Sequence, residues 1–246
     1  MNFDYLAIVR ATPYLLEGMA FTIELTLVAL CGGLIIGTLM AIIRQTKVPV
    51  LSQVVRAYIT ITRSIPLIMV LFWFFFLVPL LLQKISESGH PMPLGPKFTA
   101  FLTFTLFESA FYAEIVRAGL RSIDKGQYEA AKALGLSLPV TYAFVVIPQV
   151  LRATAPIIVT QTIILFQDTS LVYVLSLTDF LGAAAKIAQR DGKLVEFYTT
   201  VAIVYFVLCS IGSEIAERLR AGNGQRRVRS NASGKRSRRA VSFSRM

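Results

Sequence analysis

The sequence predicts an all-α polytopic membrane protein, with about five transmembrane helices and a helical hairpin on the cytoplasmic side. Three observations predict it. Of 246 residues, 55% are hydrophobic and 16% charged, whereas an average soluble domain is about 25% charged. Mean hydropathy is +0.64. Uncharged runs of span length recur along the chain, and one polar, alanine-rich stretch, GQYEAAKALG (Gly126–Gly135), interrupts them.

A span needs roughly 20 mainly apolar residues. Leu25–Ile43 and Ser64–Leu82 carry no charge and give spans one and two. Phe98–Val116 is a third, broken by Glu108 and Glu114. Ala153–Leu177 is a fourth, with Gln167 and Asp168 inside it, and Phe197–Ser213 is a fifth. Val140–Leu151 is short and contains Pro148, so it reads as an interfacial approach to span four. Gly33 and Gly37 form a GxxxG that either permits close backbone approach or is a chance spacing. Pro66 and Pro79 either kink span two or mark its ends.

Residues 1–17 are expected as a periplasmic segment, 18–220 as the transmembrane domain and 221–246 as a basic cytoplasmic tail. Asp4 and Glu17 flank a short apolar patch at the N-terminus, with no basic region or cleavage site of a signal peptide. The formal net charge is +11, but from Glu214 onward there are ten Lys/Arg against two acids, leaving +3 for the rest. The gaps after spans one and three are rich in Lys and Arg, while Gln83–Lys97 and Thr178–Glu196 are nearly balanced. Lys and Arg favour short cytoplasmic loops. The expected topology is therefore N-terminus outside and C-terminus inside. The tail's Gly, Ser and Arg read as disordered. It either meets lipid headgroups or is simply solvated, and it is not expected to bind nucleic acid.

Gly126–Gln149 is then cytoplasmic. Gln127–Leu134 is good helix sequence, Gly135 suits a left-handed cap, and Ser137 with Pro139 can start a second helix. Ala130, Ala133 and Leu134 share a face. Small side chains there suit docking into a groove on another protein. The alternative is an amphipathic helix lying on lipid, for which alanines are poor anchors.

Ionisable groups within spans default to functional hypotheses. Glu114 and Arg117 are expected to pair and support the hairpin. Glu108 either faces a pathway or hydrogen-bonds across helices. Gln167, Asp168, Thr169 and Ser170 form a polar break that lines a transport pathway or makes an inter-helix contact. Arg63 either attracts an anion or serves the inside-positive bias. Cys31 and Cys209 lie in apolar runs with no zinc spacing, and no metal site or cofactor is expected. A secondary transporter would show repeated halves, and an intramembrane enzyme a nucleophile–base pair; neither pattern is present.

The hairpin resembles the signature of permease subunits of bacterial ABC importers. Glu129-Ala130-Ala131, Gly135, Val145, Ile147 and Pro148 match its spacing, with Val145 and Ile147 as mild aliphatic swaps. SAFYAEIVRAGLRSIDKGQYEAAKALG, RSIPL at Arg63–Leu67 and QDTSLVYVL at Gln167–Leu175 are similar to the polar amino-acid branch. Of that branch, RSIPLIMVLFWF, FQDTSLVYVLSLTDF and RDG look most like glutamate/aspartate permeases. The match runs from about Gly18 to Arg220. It implies the type I importer transmembrane fold in a bacterial inner membrane. It implies that Gly126, Glu129, Ala130, Ala131, Gly135 and Pro148 belong to a coupling helix that docks a separate ATPase dimer. It also implies a second permease subunit, commonly a different one, and a periplasmic amino-acid-binding protein. ATP chemistry is then not on this chain, and no GxxxxGK[ST] phosphate loop is present. Import of another polar amino acid (arginine, histidine, glutamine) and, further off, secondary amino-acid transport are the alternatives.

Overall fold

The computed structural model describes residues 3–46, 49–85, 90 and 94–243, with side chains described as far as 222. Most of the loop around His90 and the tail residues 244–246 lie outside the described residues. Among those described, the chain is helical with no strands. Five helices are long and apolar enough to cross a membrane, as the sequence predicts.

Helix α1, Tyr5–Gln45, has 41 residues, about 61 Å at 1.5 Å per residue. That is about twice the hydrocarbon thickness. Residues 5–17 of the segment expected over 1–17 are the beginning of this helix. Asp4 starts it by accepting from the Ala7 N–H at 3.1 Å. Pro13 is tolerated within it, and Leu15 anchors this first part in a cluster with Phe180, Ala184, Ile187 and Phe197.

Helix α2, Pro49–Ser64, fills a stretch expected as a loop. It packs Val55 and Ile59 against Ala110 and Ala113, and the Tyr58 hydroxyl donates to the Leu106 carbonyl at 2.7 Å. Pro66, extended at φ −60°, ψ 137°, separates it from α3, Leu67–Ile85. Pro66 therefore marks an end, whereas Pro79 lies inside α3, just past a π-helical turn at Trp73–Leu77. A proline lacks the N–H and crowds the carbonyl four residues back, which favours such a wide turn.

Helix α4, Pro96–Arg121, is the most buried span. It crosses α1 at Gly33 and Gly37. A Cβ on Gly37 would lie 2.7 Å from the Ser109 carbonyl oxygen and 2.8 Å from the Ala113 nitrogen; one on Gly33 would lie 3.2 Å from Glu108 Cβ. The GxxxG is a close-approach seam. After it comes α5, Lys125–Ala133, and then α6, Leu138–Leu175. The expected interfacial approach is the opening of α6. It passes through a π turn at Thr141–Val146, ahead of Pro148, and continues α-helical over Ile147–Asp168. A 3₁₀ segment, Thr169–Leu175, closes it.

Helix α7, Phe180–Asp191, was not expected. Its signals were in the sequence: Asp179 accepts from the Leu181 and Gly182 N–H groups, an alanine run follows, and Gly192 caps it at φ 67°. Helix α8, Leu194–Phe243, takes in most of the stretch expected as disordered. An existing span removes the nucleation step, so helix can propagate into it.

Candidate functional site: the hairpin end and the polar core

The hairpin is built as its residues dictate. Asp124 is extended at φ −63°, ψ 137° and caps α5 by accepting from the Gly126 N–H at 2.7 Å. A Cβ at Gly126 would come 2.9 Å from that carboxylate oxygen, so glycine keeps the cap open. At the other end Gly135 has φ +73° with nothing within 4 Å of a Cβ placed there. The Leu136 N–H reaches the Ala131 carbonyl at 3.1 Å and the Gly135 N–H the Lys132 carbonyl at 3.0 Å. These two bonds form a Schellman cap. Ser137 sits extended at the N-cap of α6 without a side-chain cap bond; its carbonyl accepts from Thr141 Oγ1.

One side of α5 is packed and the other bare. Ala131 is 3% exposed. Tyr128 meets the Tyr142 ring edge-on at 6.1 Å and joins a cluster of Val116, Leu120, Val146 and Val150. Gln149 Nε2 donates to Gln127 Oε1 at 2.9 Å, linking α6 back to α5. On the other side Glu129, Ala130 and Ala133 are exposed, Leu134 is 77% exposed and Leu138 71%. Apolar residues this exposed at the tip of a well-capped hairpin leave a bare surface of the kind that marks an interaction site.

Beneath the hairpin, Glu114 accepts from Arg117 on its own helix and from Arg44 at the end of α1. The expected Glu114–Arg117 pair is present, and Arg44 completes a triad that sequence spacing could not reveal, because 70 residues separate Arg44 and Glu114. All three side chains are largely shielded, at 14–21% exposure. The triad ties α1 and α4 together next to α5.

The pathway candidates do not form one cluster. Glu108 is 1% exposed and accepts from Gln161 Nε2 on α6 at 3.1 Å. One turn on, the Tyr112 hydroxyl meets Thr162 Oγ1 at 3.2 Å. The cross-helix hydrogen bond considered for Glu108 is present. Gln167 turns toward α8, where its amide donates to Cys209 Sγ at 3.4 Å. Asp168 is half-buried at the last α-helical position, and buried Thr169 donates back to the Phe166 carbonyl at 2.7 Å. Ser170 is half-buried in the 3₁₀ segment. The polar break therefore coincides with the change from α to 3₁₀ geometry. Arg63 is exposed at the end of α2, its guanidinium 5.3 Å from the Phe111 ring centroid. Phe111 lies one turn before Glu114 on α4.

Residues 33–221 match the family described as binding-protein-dependent transport system inner membrane component. The glutamate/aspartate import permease protein GltK of Escherichia coli O157:H7 is 42% identical over 212 residues, covering 84% of this chain and 92% of that one. A probable glutamine ABC transporter permease protein, GlnP of Bacillus subtilis strain 168, is 35% identical over 209 residues, with 84% and 92% covered. Among solved structures, an amino acid ABC transporter crystallised with histidines superposes with a TM-score of 0.73 at 26% identity, covering 88% of this chain and 97% of that one.

Proposed function

The chain belongs to the family of binding-protein-dependent transport system inner membrane components, as the permease subunit of an amino-acid ABC importer, and we propose that it moves glutamate or aspartate into the cytoplasm. The observation that carries the substrate is the 42% identity to a glutamate/aspartate import permease, against 35% to a glutamine permease. Arg63 supports it as an exposed cation over the Phe111 ring, suited to a carboxylate. Asp168 and Ser170, at the α-to-3₁₀ change, are the remaining pathway candidates. Glu108, turned to Gln161, acts as a tie between α4 and α6.

In this proposal energy enters at the hairpin. The bare face around Glu129, Ala130, Ala133 and Leu134 docks a separate ATPase subunit, with Gly126 and Gly135 fixing the ends of α5 and Pro148 setting the turn of α6. The Glu114 triad passes movement of the hairpin to α1 and α4, and closure of an ATPase dimer alternates access across a permease pair, here a heterodimer. A periplasmic binding protein delivers the ligand at the opposite end. The N-terminus is then periplasmic and the C-terminus cytoplasmic. Residues 18–220 form the transporting unit, and the basic extension is dispensable for transport. Uptake of labelled glutamate against arginine in a deletion strain carrying the full transporter tests the substrate. Glutamate is expected to be preferred; preferred uptake of arginine would overturn the acidic assignment while leaving the permease role intact.

A further inference from the structure

Helix α2 presents three distinct faces. Val55 and Ile59 are buried against Ala110 and Ala113. At about 100° per residue, Val50, Val54 and Ile61 fall together on one flank of that packed face. They are apolar and 75%, 60% and 58% exposed. Gln53, Arg56, Thr60 and Arg63 fall together on the other flank, and all four are exposed. Helix α2 contains no acid, and neither arginine has an ion-pair partner among the described residues. The Tyr58 hydroxyl reaches the Leu106 carbonyl, near the middle of the 26-residue α4. Helix α2 therefore runs at the level of a membrane-crossing helix, not beyond its end.

The apolar flank suits lipid. The flank with two unneutralised guanidinium groups does not, because cations at membrane depth face a water-filled passage or an opposite charge. We propose that Arg56, Thr60 and Arg63 form a track along α2 for the carboxylates of the substrate, with Arg56 a specificity-determining residue in addition to Arg63. The proposal rests on the reading of this chain as a permease for acidic amino acids. A guanidinium matches a carboxylate with two parallel donors, and Thr60 offers a hydroxyl between the two arginines. Arg56 and Arg63 are seven residues apart, about 10 Å along the helix axis. That is too far for one amino acid to bridge, so the two act in succession and set passage, not a single tight site. Substrate reaches the track only after its release from the binding protein, so the track governs how much is moved in each ATP cycle.

Two experiments on the complete transporter in proteoliposomes test it. Thr60→Cys and Ile61→Cys are each made in a Cys31→Ser/Cys209→Ser background; these neighbours share a depth but lie on different flanks. A negatively charged methanethiosulfonate should label Thr60→Cys, more slowly when glutamate is present, and leave Ile61→Cys unmodified. Equal labelling of the two overturns the track. So does no labelling of Thr60→Cys, the result for a flank covered by a second permease subunit. In the second experiment, Arg56→Gln should lower glutamate uptake per ATP hydrolysed about tenfold, the loss of one charged hydrogen bond. Arg56→Lys should restore much of it. A merely structural arginine would lower uptake and ATP hydrolysis together; that result, or an unchanged ratio, overturns the track alone. Failure of the acidic-substrate reading is seen separately, as arginine uptake exceeding glutamate uptake in wild type, and it overturns this proposal as well.

Discussion

Gly37→Ala is the smallest change that tests the architecture. Its single methyl carbon would lie 2.7 Å from the Ser109 carbonyl oxygen, 2.8 Å from the Ala113 nitrogen and 3.0 Å from Tyr112 Cβ. Two of these three atoms are backbone, so no rotamer change relieves the contact. Helices α1 and α4 would have to part by about 0.7 Å to turn a 2.7 Å contact into an ordinary 3.4 Å one. A gap of that size forfeits roughly a quarter to a half of each dispersion contact along the seam, and overpacking a tight interface costs about 1–3 kcal/mol. Against this stands a helix-propensity gain of up to about 1 kcal/mol. Gly222→Ala isolates that gain, since nothing lies within 4 Å of its Cβ. Gly32→Ala is intermediate: its 2.7 Å neighbour is Thr105 Cγ2, a side-chain methyl that can rotate away. Reversible unfolding in detergent should rank stability as Gly222→Ala, then Gly32→Ala, then Gly37→Ala. A Gly37→Ala protein as stable as Gly222→Ala would refute the close-approach seam.

Removing the charge of Glu114 tests the triad. Glu114→Gln leaves Arg44 and Arg117 shielded beside a neutral acceptor, and charged hydrogen bonds are worth about 1.5–3 kcal/mol each. A loss of about 2–4 kcal/mol is expected, with a coupling above about 0.5 kcal/mol in a double-mutant cycle with Arg44→Gln; additive effects would show the triad to be incidental. Asp179 makes stability depend on pH. Burial pushes its carboxyl up to about 6 despite the opposing Gly182 and Leu181 N–H bonds. Because the folded value lies above the unfolded one, its contribution is fully present below about pH 4 and is lost as pH rises through 6. Asp179→Asn keeps an acceptor for the cap. It should therefore gain stability relative to wild type between pH 5 and 8; parallel pH profiles for the two would show that the carboxyl is not shifted.

The hairpin was legible because its instructions are local. The alanine run, Gly135 and Ser137-Leu138-Pro139 each specify a nearby backbone geometry, and the structure forms the hairpin there, with Ser137 at the N-cap position but without a side-chain cap bond. Spans were legible from uncharged length, but their ends were not. The apolar window in α1 begins at Leu25, whereas packing of Leu15 on Phe180 and Ile187 extends the helix back to Tyr5. Helices α2 and α7 were missed because charged residues in them masked an amphipathic pattern and an Asp-to-Gly capped run. Arg44 beside Glu114, and Gln161 beside Glu108, are long-range pairings that spacing along one chain does not encode. Pro79 and Pro148 carried a readable warning, since each follows a π turn.

Leu134→Asp tests the docking claim most directly. The side chain is 77% exposed, so the substitution leaves this chain's own packing intact, while a carboxylate would meet any apolar groove that receives α5. In proteoliposomes with the ATPase and binding protein, the variant is predicted to insert and melt like wild type. It should fail to retain the ATPase on purification and lose ATP-driven glutamate uptake. Wild-type uptake with the ATPase still bound would contradict the hairpin as the point where energy enters.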